Sequence, residues 1–263
     1  MIYYIHSDFT SFITLPRVQK KTKFYTDKNM ITVSLNIMLQ EIKKKFGKNF
    51  ILPAYNYDFG QKKIYDVSKD QSQTGLFTEY CRKKNIFIRS HVPMFSSISM
   101  IKDLIKKDDR SVINPFDKDS EWEQLYNLRG KIVNFGVPFS PTYVHYIENK
   151  SKVAKYRYKK KFLGKIILPG GKVKKVTLVF YVRPKNLPIF YDMKKIRSDL
   201  KKKGILKSYR EGKKFYYEIT DARNFCDFVL NKMKKNNLYM LDKKTVYNIR
   251  NKKNIKGKFY DNI

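Results

Sequence analysis

The sequence predicts an α/β protein: a three-layer α/β/α core with a central mixed sheet, followed by a basic α+β C-terminal portion. Two observations support this prediction. Apolar strands alternate with helical segments through residues 1–150, and long basic strands replace that pattern afterwards. A chain of 263 residues can fold as one large unit or as two lobes. We assign 1–150 to an α/β core and 151–263 to a portion that completes it, either separately or as one continuous domain.

The first half alternates strands and helices in order. Strands are predicted at "MIYYIHSDFT", "NFILPAYNYDF", "IFIRS" and "KIVNFGV", which are apolar and bounded by polar residues, Gly or Pro. Helices are predicted over residues 29–46, 72–85, 97–107 and 140–150, where apolar residues recur at helical spacing. Gly47 ends the first of these helices.

The second half begins with two basic strands, "YRYKKKFLGKIIL" and "KVKKVTLVFYVR", joined by the turn "PGGK". A helix, a pair of strands and a final helix follow. The helix and strand pair in residues 193–220 also have the order of a winged-helix wing, a structure that lies along DNA phosphates. A nucleic-acid-binding module is therefore the alternative function.

Positive charge is concentrated in the second half of the chain. The formal net charge is +34, with 24 Lys and Arg against 15 Asp and Glu in residues 1–150, and 33 against 8 in residues 151–263. This balance suits an anionic partner: nucleic acid, an anionic membrane surface or a phosphate-bearing ligand. A compositional bias, with heavy use of Lys, Asn, Ile, Tyr and Phe and little Arg, explains the same balance without any function.

Composition also limits the class of protein. The 42% of hydrophobic residues excludes a disordered chain, and no apolar run approaches the ~20 residues of a membrane span. Without a recognisable signal peptide, we expect a cytoplasmic protein. Cys81 and Cys226 are isolated and predicted to be reduced core thiols. His6, His91 and the carboxylates show no metal-ligand spacing, so no metal site is expected.

One histidine has a spacing suited to catalysis. In "FSPTYVHYIEN", His145 and Glu148 lie three residues apart on a predicted helix that starts at Ser140 and Pro141. A carboxylate there can hold one imidazole nitrogen and leave the other to act as a base. By itself this pair is more often structural than catalytic.

Five ordered blocks of sequence resemble the aminoglycoside 3-N-acetyltransferase family. They are "HSDFTSF", "LPAYNYDF", "TGLFTEYCRKKNIFIRSHVPMFS", "NPFDKDSEWEQLYNLRGKIVNFGV" and "PTYVHYIE". The resemblance implies an acyl-CoA-dependent N-acyltransferase, with acetyl-CoA or another acyl-CoA as donor, no metal, and direct transfer to an amine. It makes His145 the base and Glu148 the residue that orients it. Thr142 is predicted to meet the carbonyl oxygen or, equally, to cap the helix.

Further site residues follow from the same resemblance. Six residues at strand ends and loops are predicted to bind CoA: Ser7, Asp8, Arg89, Ser90, Asp119 and Ser120. Arg89 also has a structural alternative as part of an ion pair. Tyr55 and Asn56 are predicted to face a substrate.

The charge balance bears on the acceptor. Aminoglycosides are polycations and need carboxylates, which are scarce in residues 151–263. We therefore expect a neutral or anionic amine, such as an amino sugar on a nucleotide or lipid carrier in surface polysaccharide assembly. A homo-oligomer is left open.

Overall fold

The computed structural model describes residues 1–105, 110–185, 187–211 and 215–251. Its helices, in chain order, are α1 (Phe9–Ile13), α2 (Pro16–Thr22), α3 (Asp27–Phe46), α4 (Phe59–Lys62), α5 (Leu76–Arg82), α6 (Glu121–Asn127), α7 (Tyr143–Ser151), α8 (Met193–Lys202), α9 (Ala222–Lys235) and α10 (Lys243–Asn251), with a short 3₁₀ helix at Lys102–Leu104.

The central sheet has seven strands and is mixed. Its spatial order is β10 (Leu206–Glu211), β11 (Phe215–Asp221), β7 (Lys131–Phe135), β1 (Tyr3–Ser7), β2 (Phe50–Pro53), β5 (Ser97–Ser99) and β4 (Ile88–Arg89). The three central strands β7, β1 and β2 run parallel, and the outer strands are antiparallel to their neighbours. The carboxyl ends of β1 and β7 therefore lie side by side.

Alternating side chains divide the core between the two faces of this sheet. Tyr4 and Ile132 pack on one face with residues of α6, α7 and α9, whereas Ile5 and Val133 pack on the other with residues of α1, α2 and α3. Successive residues of a strand point to opposite faces, so each strand contributes to both layers. The predicted three-layer α/β/α arrangement with a mixed sheet is confirmed.

A second sheet has four strands, in the order β3 (Ile64–Asp66), β8 (Tyr158–Ile167), β9 (Val173–Val182) and β6 (Val112–Ile113). Its long hairpin, β8 and β9, is the predicted pair of basic strands. Residues after 150 thus pair with β3 and β6 here, and with β7 in the central sheet. This interleaving favours one continuous domain over two separate lobes.

The helix predicted over 97–107 is wrong where the structure describes it. Ser97–Ser99 form β5 in the central sheet, and only Lys102–Leu104 make a helical turn. The apolar spacing of this segment fits a helix, but all three residues of β5 are buried, and the Ser99 hydroxyl donates to the carbonyl oxygen of Phe50. Residues 106 and 107 lie outside the described ranges.

Two further differences concern residues around the site. Helix α7 begins at Tyr143, so Ser140 and Pro141 precede it and do not cap it as expected. The strands predicted as a possible DNA-binding wing, β10 and β11, belong to the central sheet through pairing of β11 with β7. A hairpin held there is not a free wing, and this removes the structural basis of the nucleic-acid alternative.

Within the part of the chain that the structure describes, no helix has the length and apolar character needed to cross a bilayer. The cytoplasmic location remains a prediction.

Candidate active site

Helix α7 places the two predicted catalytic residues together. His145 Nδ1 lies 3.2 Å from Glu148 Oε2, across one turn of the helix. The His145 side chain is 30% exposed, whereas that of Glu148 is only 1% exposed. Residues three apart share a helix face, and here the carboxylate lies behind the imidazole on the protein side.

Two residues outside the helix complete this cluster. Arg157 Nε lies 2.6 Å from Glu148 Oε2, and the Tyr191 hydroxyl donates to the same oxygen at 2.7 Å. The Tyr191 oxygen is also 3.1 Å from His145 Nδ1, and the Arg157 guanidinium donates to it. We call His145, Glu148, Arg157 and Tyr191 the His145 cluster.

The cluster keeps Glu148 ionised although it is buried. Burial raises the pKa of Glu148, but the Arg157 charge and the His145 hydrogen bond outweigh that effect and lower it to about 2. The same surroundings raise the pKa of Tyr191 well above its usual value, through burial and through the negative charge of Glu148. Tyr191 is therefore a neutral donor at physiological pH, and Glu148 is an acceptor only.

These charges set the tautomer of His145. Burial lowers the pKa of His145; Glu148 acts against this, while Arg157 and Arg183 reinforce it. The imidazole is thus neutral near pH 7. Because ionised Glu148 only accepts hydrogen bonds, Nδ1 carries the proton and Nε2 keeps its lone pair. This is the form that a general base requires.

A cavity of about 460 Å³ opens beside the imidazole. Its aromatic lining residues are Tyr57, Phe95, Phe116, Phe180, Tyr181, Phe190 and Tyr191. The Phe116 ring centre lies 5.5 Å from that of His145. Among the described residues, the lining also includes the guanidinium groups of Arg157 and Arg183 but no carboxylate. The cavity is therefore aromatic, and because Glu148 balances the charge of Arg157, its net positive charge comes from Arg183.

Arg157, Tyr191 and the aromatic lining were not predicted from the sequence. Arg157 belongs to "KYRYKKK", where many cations hide the one that is buried, and Tyr191 follows a Pro-containing segment. Arg157 is only 7% exposed, unlike the surrounding lysines Lys155 and Lys159. The tyrosines on either side of Arg157 were the only sequence feature in that run that could have indicated its burial.

Tyr55 and Thr142 meet beneath the cluster. The Thr142 side chain hydrogen-bonds Tyr55, whose hydroxyl also lies 3.0 Å from that of Tyr4. Thr142 precedes α7 but makes no capping hydrogen bond with its side chain, so the capping alternative is wrong. Asn56 is buried and engaged by the chain itself, donating to Gln71 and accepting from Asp58.

Four of the six residues predicted to bind CoA lie in two segments, at the end of β1 and before α6. Ser7 ends β1, and Asp8 caps α1 by accepting from the N–H groups of Thr10 and Ser11. Ser120 caps α6, and its neighbour Asp119 is exposed with a left-handed backbone, φ +66°. Asp8 and Ser120 thus use their side chains as helix caps, and Ser120 is buried. Contact of these four residues with CoA stays a prediction.

Arg89 and Ser90 have the clearest structural roles. Arg89 is buried and donates to Ala54 and Asp70 carbonyl oxygens and to the Ser96 hydroxyl. Ser90 is fully buried, and its hydroxyl accepts from the Ser97 N–H. Because neutral acceptors occupy the guanidinium, the geometry favours a structural role for Arg89 over the predicted phosphate contact. Its partners include carbonyl groups, and the ion pair predicted as the structural alternative is not what holds it.

The remaining nucleophiles and metal ligands do not form a site. Cys81 and Cys226 are both free and buried, and burial raises the pKa of Cys226 to about 12. A thiol with such a pKa is a poor nucleophile. Over the described ranges, no group of three His, Cys, Asp or Glu side chains is arranged to hold a metal ion.

Comparison with protein families now decides the class. The family model for aminoglycoside 3-N-acetyltransferase matches residues 48–234. The chain belongs to this family. The predicted enzyme class, an acyl-CoA-dependent N-acyltransferase, is confirmed at that level. The match extends across the residues considered as a nucleic-acid module, which is therefore not supported.

Solved structures show the same fold. AAC-IIIb in binary complex with CoASH has a TM-score of 0.65 at 14% identity, covering 89% of this chain and 90% of its own. A histidine-to-alanine variant of aminoglycoside acetyltransferase AAC(3)-IVa with apramycin has a TM-score of 0.62 at 13% identity, covering 90% and 86%. AAC(3)-Xa has a TM-score of 0.64 at 14% identity, covering 89% and 86%. Comparison of the sequence with curated proteins gives no significant match.

Proposed function

We propose that His145 is the general base of a CoA-dependent acyl transfer to an amine. The observation that carries this proposal is the hydrogen bond of Nδ1 to buried, ionised Glu148, which leaves Nε2 basic at the cavity. Nε2 takes the amine proton as the nitrogen attacks the thioester carbonyl. The carbon–sulfur bond then breaks, the thiolate of CoA leaves, and the proton passes to it.

Glu148, Arg157 and Tyr191 serve as positioning residues in this scheme. As His145 becomes imidazolium, the Glu148 carboxylate stabilises the new charge, while Arg157 prevents the carboxylate from taking the proton itself. Tyr191 fixes the carboxylate oxygen through its hydroxyl. Thr142, one turn before His145, is proposed to meet the carbonyl oxygen of the thioester during attack.

The donor is proposed to be acetyl-CoA or another acyl-CoA. Support comes from the family and from the relative whose structure contains CoASH. The proposed contacts remain Ser7 and Asp8, at the carboxyl end of β1, and Asp119 and Ser120, just before α6. Each pair can be tested by substitution with alanine and measurement of CoA affinity.

The acceptor is proposed to be a neutral or anionic amino sugar, on a nucleotide or a lipid carrier. One structural relative is described with apramycin and another with sisomicin. The described lining of the cavity has no carboxylate, and beside Arg157, whose charge is balanced by Glu148, it has Arg183, so a polycation would meet repulsion there. Its aromatic rings suit the face of a sugar or a base.

A thiol-release assay tests both parts of the proposal. Several acyl-CoAs are supplied with nucleotide-linked amino sugars and with aminoglycosides in parallel. We expect turnover of an anionic or neutral amino sugar and little turnover of the polycations. Faster reaction with kanamycin-type amines would refute the acceptor proposal, whereas absence of thiol release with every donor would count against the catalytic one.

A further inference from the structure

The four-stranded sheet has an outward face that the proposed reaction does not use. On β8, the exposed residues Lys159, Lys161, Leu163 and Lys165 alternate with residues that are half-buried or buried. Paired residues of neighbouring strands share this face: Ile64 lies beside Lys165, and Val112 and Leu163 both lie beside Thr177. We call this surface the β8 face.

Exposed aliphatic side chains lie among the lysines of the β8 face. Leu163 is 68% exposed, Val173 56%, Val112 55% and Ile64 46%. They flank a groove of about 610 Å³, whose lining includes Lys165 and Lys175. Water-exposed aliphatic residues in such a group are unfavourable unless something covers them.

The charge around this face has one sign. From Asn149 to Tyr191 the chain has thirteen Lys or Arg and no Asp or Glu. At one corner of the face, Asp66 turns its carboxylate to the backbone N–H groups of Ser68 and Lys69. A general preference for lysine explains many cations, but it does not by itself exclude carboxylates from a stretch of this length.

We infer that the β8 face docks the protein onto an anionic lipid membrane surface. Lysines around exposed aliphatic side chains are the pattern of peripheral membrane contact, in which cations meet lipid phosphates and apolar groups enter the interface. A second copy of the chain would bring the same lysines against this face and be repelled. The phosphates of a nucleic acid could contact these lysines. Its bases, however, would have no arginine and no aromatic ring to contact among the exposed β8 residues Lys159, Lys161, Leu163 and Lys165.

The β8 face and the catalytic cavity lie on the same hairpin, separated on β9 by Val179, which is buried. Residues 175, 177, 179 and 181 of β9 point to the same side of the strand, and Tyr181 lines the cavity. Thr177 and Tyr181 are about 13 Å apart along the strand. Docking would hold the cavity near the membrane, although the inference does not depend on which acceptor is used.

Vesicle co-sedimentation tests this surface without any activity measurement. Phosphatidylcholine vesicles are compared with vesicles that also contain phosphatidylglycerol. We expect binding to the anionic vesicles only. Lys161→Glu/Lys165→Glu should weaken it by at least about thirtyfold, because each lysine near the surface contributes about fivefold and each glutamate adds repulsion. The matched control, Lys20→Glu/Lys21→Glu on exposed positions of α2, has the same net charge and should retain binding.

Apolar contact has its own readout. Leu163→Ser should weaken binding to anionic vesicles by about fivefold, with an unchanged melting temperature. Leu163→Cys, labelled with an environment-sensitive fluorophore, should shift to the blue on those vesicles, and the buried Cys81 and Cys226 leave it as the accessible label site.

Three results would overturn the inference. The first is no preference of the wild-type protein for anionic vesicles. The second is an equal loss in the α2 control, which would show that net charge alone is responsible. The third is tight binding of duplex DNA that Lys161→Glu/Lys165→Glu abolishes while vesicles are ignored, which would assign the face to nucleic acid.

Discussion

Two buried carboxylates, Glu148 and Glu218, have similar partners but different surroundings. Glu218 is completely buried, and Arg197 binds both of its oxygens, with Nε at 2.8 and 3.0 Å. The Ser208 hydroxyl donates to it at 2.7 Å. In both cases arginine lowers the pKa of the carboxyl against the effect of burial.

The two carboxylates differ in that only Glu148 has an imidazole among the partners described. Glu148 holds an imidazole that opens to a cavity, whereas Glu218 holds a hydroxyl between β10 and β11. Arg157 is 7% exposed, but Arg197 is 38% exposed and can be hydrated. A buried ion pair is therefore not by itself evidence of catalysis, and the proposal of a general base depends on the imidazole at the cavity.

The largest effect should come from removing the base. His145→Ala is expected to lower kcat by ~10² to 10⁴, with little change in CoA affinity, because the imidazole acts on the amine. Rates are measured by thiol release and CoA affinity by titration calorimetry. Added imidazole should restore part of the rate. A folded His145→Ala enzyme with near wild-type kcat would remove His145 from the mechanism.

Loss of Glu148 should affect both stability and pH dependence. Glu148→Gln leaves Arg157 buried without its counter-charge, which costs about 3–5 kcal/mol of unfolding free energy. In the folded fraction, burial and the remaining arginines lower the pKa of His145 further, so the acidic limb of kcat/KM should move to lower pH. Urea unfolding and pH–rate profiles on one preparation measure both. An unmoved limb would contradict the proposed contact.

Acid should destabilise the wild-type protein through Glu148. Its pKa is lowered from 4.5 to about 2 in the folded protein, so its stabilisation is present above pH 4.5 and lost as pH falls towards 2. The loss is of order 3 kcal/mol. Urea midpoints at decreasing pH, compared between wild type and Glu148→Gln, isolate the contribution of Glu148 to the unfolding free energy. Parallel curves for the two proteins would contradict it.

Glu218→Gln sharpens the comparison as the structural counterpart. Since Arg197 can be hydrated, we expect a loss of only about 1–3 kcal/mol of unfolding free energy. Folded protein should keep the wild-type kcat and pH profile. A shift of the acidic limb in Glu218→Gln would mean that the two carboxylates are not separated as described.

A modest effect on both stability and rate is expected from the tyrosine of the His145 cluster. Tyr191→Phe removes one hydrogen bond to Glu148 and should cost about 1.5–3 kcal/mol of stability at most, with a modest fall in kcat. A matched variant, Tyr209→Phe, changes a tyrosine on β10 that is 41% exposed and should leave kcat unchanged. Equal rates in the two variants would exclude Tyr191 as a positioning residue.

Several elements were predictable because local pattern and tertiary environment agree. The helix at α3, the strands β1, β2 and β7, and the long hairpin have periodicities that match the faces they bury. The helix predicted over residues 97–107 is wrong for the opposite reason. Their spacing fits a helix, but a place between β2 and β4 makes strand pairing more favourable for Ser97–Ser99.

Three features can be read from the sequence: the alternating architecture, the pairing of His145 with Glu148 within one helical turn, and the excess of positive charge. The roles of the individual cations depend on tertiary packing. It buries Arg157 against Glu148, ties Arg89 to carbonyl groups and leaves Lys161 and Lys165 in water. The physical reason is that a charge takes its role from its burial and its partners, and these come from segments far apart in the chain.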